Sequence, residues 1–201
     1  MINKDSTLPA IIEFYKLQEQ KKFIKEEWYS QTKEGETLKA MISFFEEQKN
    51  PFERSCQAGH FTGSSWLINK ESTKVALCYH KKLKMWLQLG GHCDGSSDIA
   101  AVAMKEAQEE SGIENLKFWS ADGQNRPSAF DFDIHTIPAN KKDPEHLHLD
   151  VRFVIQATND NLVLSDESLD LRWFSFSEVE KVTQEESVIR QLKKFLKLKS
   201  N

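Results

Sequence analysis

The chain has 201 residues, enough for one domain of ordinary size with a small appendage and too few for two full domains. Apolar residues make up 39% and charged residues 29%, a globular balance that excludes a disordered chain. Lys and Arg number 27 against 31 Asp and Glu, a net charge of -4, so no basic excess points to nucleic acid or to a membrane surface. There is no apolar run of about 18 residues, which argues against a transmembrane span. The start, MINKDSTLPAIIEFYKL, lacks the order of a signal peptide. Cys56, Cys78 and Cys93 match no zinc-motif spacing, and a cytoplasmic location is expected.

Residues 8–49 read as two helices, with apolar positions at Ile11, Ile12, Phe14, Tyr15 and Leu17, then at Leu38, Met41, Ile42, Phe44 and Phe45. The break falls near Gln31–Gly35, and Asn50-Pro51 ends the second helix. Strands are predicted at Phe61–Ile68, Val75–Tyr79 and Met85–Leu89, a helix at 98–111 closed by Gly112, strands at Phe130–Ile137, Leu147–Ala157 and Leu171–Phe176, and a final helix at Glu178–Leu198. Helices at both ends and one in the middle of a strand-rich chain give an α+β or layered α/β/α fold. We divide the chain into an N-terminal helical extension, residues 1–52, and a main domain, residues 53–201. The extension is suited to three uses: a lid, a contact in a homodimer, or a cover for a sheet edge.

The most informative stretch is Leu89–Ile113, LGGHCDGSSDIAAVAMKEAQEESGI. On a wheel at about 100° per residue, Val102, Ala103, Glu106, Glu109 and Glu110 all lie within about 80° of Ile99. Carboxylates in line with an apolar stripe face an interior or the floor of a cleft, where they repel and lose hydration unless a cation compensates. Such a set suits a hard divalent ion such as Mg2+. A helix with Glu-rich solvated positions accounts for the same residues about equally well on helix geometry alone.

The flanks tip the balance. Gly90-Gly91-His92-Cys93-Asp94-Gly95 precedes the helix, and Gly112 follows it. The whole resembles the Nudix box: Gly, five residues, Glu, seven residues, then Arg-Glu-apolar-any-Glu-Glu-any-Gly-apolar. On this chain it runs from Gly91 to Ile113, and Lys105 through Ile113 fits its second half closely. Two positions depart. The family's first Glu falls on Ser97, beside Asp98, and its Arg falls on Lys105, which keeps the charge without the planar fork. The resemblance runs roughly from Gly59 to Trp173. It points to a bacterial branch with GGHxDG in the box and HxHxD downstream.

The resemblance implies a Nudix-type α/β/α sandwich of mixed sheets with an added N-terminal helical segment. It implies hydrolysis of a nucleoside-diphosphate-linked or other small diphosphate compound with Mg2+ or Mn2+. Glu106, Glu109 and Glu110 would hold the metal, with the Gly91 carbonyl as a further ligand. Ser97, Asp98, Lys105 and Gly112 would support the motif. Two sources of the catalytic base stay open: the box, with Glu110 beside Glu109, or an acid before Trp173, where Asp166, Glu167 and Asp170 lie. A non-catalytic Nudix-fold nucleotide sensor is the alternative from another class, and a diphosphate isomerase using Cys93 is the rival within the fold.

Downstream, His146, His148, Asp150 and Arg152 alternate with Leu147, Leu149, Val151 and Phe153, and Asp131, Asp133 and His135 alternate with Phe130, Phe132 and Ile134. The two stretches are expected to pair as a hairpin with His and Asp opposite one another. A solvated His–Asp face and a substrate-binding face (His135, His146, His148, Asp150 and Arg152) fit equally. A second metal site on His-x-His comes third. His60 and His80 read as structural. The tryptophans read as core, with Trp28 and Trp119 as alternatives for base stacking.

Overall fold

The computed structural model describes residues 33–141, 143–166 and 168–200. The first predicted helix, Trp28 and Glu167 lie outside the described residues. Helix α1 spans Lys33–Glu47 and buries Leu38, Met41 and Phe45, one helical stripe at i, i+3 and i+7. Strands β1 (Gly59–Ile68), β2 (Lys74–His80), β3 (Trp86–Leu87) and β4 (Leu89–His92) lead to α2 (Ile99–Ser111). Then come β5 (Leu116–Phe118), β6 (Ala129–Ile137), β7 (His146–Ala157), β8 (Ser168–Ser175), α3 (Phe176–Val182) and α4 (Glu186–Lys199). No helix among the described residues is long and apolar enough to cross a membrane.

The strands form one mixed sheet in the order β3-β2-β1-β7-β5, with β4 added at β1, β6 at β7 and β8 at β2. Strand β1 is buried along its whole length because it lies parallel to β7 on one side and antiparallel to β4 and β2 on the other. Side chains alternate across it. Phe61 and Leu67 join a core with α1 and α2, whereas Trp66 and Ile68 join a second core with Val179 of α3 and Val188, Leu192 and Phe195 of α4. The sheet is therefore covered by helices on both faces, in an α+β layered architecture.

Gly63 sets how closely α2 approaches β1. A Cβ there would stand 2.7 Å from the Ile99 carbonyl oxygen and 3.1 Å from the Ala103 nitrogen, both backbone atoms that cannot step aside singly. The box helix thus lies directly on the strand. The predicted strand at Met85–Leu89 divides into β3 and β4, and the predicted C-terminal helix divides at Thr183, whose backbone is extended. Strand β5 was not predicted, since three residues carry too little alternation.

Strands β6 and β7 do pair as an antiparallel hairpin, but in a register that differs from the expectation. Ile137 pairs with His146, so His135 faces His148, Asp133 faces Asp150, and Asp131 faces Arg152. His meets His and Asp133 meets Asp150, while Asp131 meets Arg152, in a register that keeps Phe132 and Ile134 opposite Val151 and Leu149.

Candidate active site

Asp98 starts α2, its carboxylate accepting from the Ala101 backbone N–H at 2.9 Å, with Ser97 just before it. Gly112 ends the helix in a left-handed conformation at φ 69°, its N–H bonded to the Gln108 carbonyl. Between these ends the three glutamates diverge. The Glu106 carboxylate lies against the Gly91 backbone, where a Cβ on Gly91 would come within 2.5 Å of it. Glu110 is buried, and its Oε1 accepts from the Gly90 N–H at 3.0 Å. Glu109 is exposed and accepts from Lys105 Nζ at 2.8 Å. Lys105 also stands 3.7 Å from Glu106, and its bond to Glu109 raises its pKa. Lys105 therefore bridges two glutamates of its own helix.

Among the described residues, the one trio of His, Cys, Asp or Glu whose donor atoms all lie within 4.8 Å of one another is not this one. The set still fits a hard divalent cation. Its donors are carboxylate oxygens at the mouth of a loop whose bare backbone at Gly91 leaves room that a side chain would fill. Gly91→Ala should therefore keep the fold, because only the flexible end of Glu106 must move. It should raise the Mg2+ concentration for half-maximal activity by about 10–100-fold. A Mg2+ titration of activity beside a thermal melt checks both halves.

Arg54 sits at the rim. It forks onto Asp94 of the box loop at 2.5 and 2.8 Å, and both side chains are more than half exposed. Asp94 is the main cause of its raised pKa, and Glu106 adds to it, so this cation lies within electrostatic reach of Glu106. The sequence offers no signal for it, since a lone Arg in a turn is ordinary.

The expected substrate face divides in two. Arg152 is 1% exposed, and its guanidinium binds Asp150 at 2.7 Å, Asp131 at 2.9 Å and Asp133 at 3.3 Å. Asp150 also accepts from Thr62 and Ser64 of β1, and Arg190 of α4 clasps Asp131 and Asp133. Arg152 and Asp150 are thus placed in a buried ionic staple between β1, β6, β7 and α4. His135 is partly exposed and bonds Asp133 at 3.0 Å.

His146 and His148 lie with His60 and His92 in a band of imidazoles, ring centroids 4.8–5.3 Å apart. Burial, then repulsion from His92 and His146, lowers the His60 pKa to about 4, and burial lowers that of His148 as well. The His60 and His148 rings are therefore neutral at neutral pH. His60 joins this group across strands: its alternation with Thr62 and Ser64 gives its face of β1 but not its partners. His80 is structural, as expected: its Nδ1 accepts from the Lys82 and Leu83 N–H groups. Trp119 packs against Phe195 in the second core.

The remaining acids and thiols are quickly placed. Asp166 is exposed and Asp170 pairs with Arg172 at 2.5 Å. Cys93 is 3% exposed, and burial, with Asp150, Asp94 and Glu106 adding to it, pushes its thiol pKa up, so it holds no thiolate for a nucleophile's role.

The model of the NUDIX domain matches residues 61–196. The chain belongs to the Nudix family. It is accordingly an enzyme of the Nudix hydrolase type. No curated protein matches it.

Solved Nudix structures share the fold. A C. elegans Ap4A hydrolase in a binary complex is 18% identical, with TM-score 0.54, over 70% of this chain and 97% of that one. The Nudix hydrolase RenU from M. smegmatis is 15% identical, with TM-score 0.51, over 71% and 87%. The E. coli dihydroneopterin triphosphate pyrophosphohydrolase is 13% identical, with TM-score 0.50, over 67% and 93%.

Proposed function

We propose that this Nudix enzyme hydrolyses a diphosphate bond in a small nucleoside-diphosphate-linked or related compound, with Mg2+ or Mn2+ held by Glu106, Glu109, Glu110 and the Gly91 carbonyl. The observation that carries the reading is the pairing of the box carboxylates with the bare loop backbone: Glu106 against Gly91 and Glu110 on the Gly90 N–H. A divalent ion held there supplies positive charge to the diphosphate oxygens and eases ionisation of the attacking water. The chain supplies the rest. We assign the proton from the attacking water to Glu110, a reading supported by its bond to the Gly90 N–H and its burial. Arg54, an exposed cation beside the box loop, is suited to a phosphate of the substrate, for which it would exchange Asp94.

A sensor reading draws on Lys105, which engages two of the glutamates. That contact is an exposed helical pair worth a few tenths of a kcal/mol, too weak to exclude a divalent ion. The free thiols of Cys56, Cys78 and Cys93 suit a cytoplasmic location.

The substrate class is open to a direct screen with Mg2+ or Mn2+. It covers nucleotide sugars, ADP-ribose, dinucleotides, coenzyme A, CDP-alcohols and nucleoside triphosphates. We expect one class to be cleaved into two phosphorylated products. Nucleotide binding without any product would instead favour the sensor.

A further inference from the structure

We propose that His60, His146 and His148 form a binding site for a divalent transition ion of the zinc class, on the sheet face opposite the box helix. One donor nitrogen from each ring lies within 4.8 Å of the others. Both ring nitrogens of His60 and Nε2 of His148 are buried without a hydrogen-bond partner, and His60 is only 2% exposed. Unsatisfied buried donors and acceptors are costly and rare in native folds, so these atoms need an account.

A metal ion supplies one. His146 is already oriented for it. Its Nδ1 is 2.8 Å from the Pro144 carbonyl, which only accepts, so Nδ1 carries the proton and Nε2 keeps its lone pair. The sheet brings the three rings together from far apart in sequence: β1 and β7 run parallel with His60 beside His148, and His146 precedes it by two residues on the same face. The His92 ring borders both His60 and His148.

The donor chemistry separates this site from the box. Imidazole nitrogens suit Zn2+ and its neighbours, and a set of three leaves a coordination position open, whereas Mg2+ takes oxygens. Alternation puts the two sites on opposite faces of the sheet. On β4, Gly91 abuts Glu106 while the next residue, His92, meets the histidines.

Metal retention tests this without reference to activity. The full chain is stripped with a chelator, loaded with Zn2+ in excess Mg2+ and passed through gel filtration. The wild type should retain about one equivalent of zinc. Its melting temperature should rise by about 5–10 °C at roughly 100 times the dissociation constant. Co2+ should give the visible absorption of a nitrogen-ligated ion.

His146→Ala, at a partly exposed ring, and His148→Ala should each weaken retention by at least about tenfold. Glu106→Gln/Glu110→Gln should retain zinc like the wild type. A wild type that holds no zinc and melts unchanged would overturn the proposal. So would zinc that survives both histidine changes and disappears with the glutamates.

Discussion

Glu110→Gln should lower kcat by about 10²–10⁴-fold, the range for loss of a positioned base, with a melting temperature close to that of the wild type. The two effects separate because the amide keeps the shape of the side chain and an oxygen for the Gly90 N–H, the bond that now holds Glu110 at 3.0 Å. What it removes is the negative charge, which both a divalent ion and a proton transfer require. Steady-state rates at saturating Mg2+ check the claim. Partial recovery at higher Mg2+ would identify the loss as ligation rather than proton transfer. Unchanged kcat would remove Glu110 from the chemistry.

Arg152→Ala should act in the opposite way, on the fold more than on the reacting groups. The guanidinium is 1% exposed and serves Asp131, Asp133 and Asp150, and Arg190, a quarter exposed, with Lys194 at 3.7 Å from Asp131, could take over only part of that load. Removing it leaves buried carboxylates uncompensated, a loss of about 3–5 kcal/mol. At roughly 2–4 °C per kcal/mol for a chain of this size, the melting temperature should fall by about 6–20 °C. Thermal or urea unfolding reads this directly, and a loss under about 1 kcal/mol would contradict the staple.

The pH range of the staple follows from Asp133. Burial alone would raise its pKa, but the bonds from His135, Arg152 and Arg190 outweigh that and hold it well below the usual carboxylate range. A depressed pKa contributes stability that is complete above the unfolded value, about 4. It declines progressively below that value and is gone once the pH has fallen through the lower folded value.

The site was legible where chemistry is written locally. The box helix carries its own ends, Asp98 and Gly112, and its own periodicity, so Glu106 and Glu110 could be placed inward and Glu109 at the flank from sequence alone. Alternation likewise gave β6 and β7 and their pairing. What alternation cannot give is depth. It put Asp150, Arg152, His146 and His148 on one face, but not which part of that face α4 would cover. Arg190 of α4 closes over Asp131 and Asp133, and that decides that Arg152 binds carboxylates of its own chain. His60 reached its partners only through the parallel pairing of β1 with β7, a contact about 90 residues apart in sequence that no local pattern encodes.

The central claim, metal-dependent cleavage of a diphosphate at the box glutamates, is tested most directly by following product release in the substrate screen with Mg2+ present and with a chelator in its place. Turnover of one compound class that saturates with Mg2+ and stops in the chelator is the predicted result. Equal rates in both conditions, or nucleotide that binds equally well with and without Mg2+ and yields no product, would contradict it.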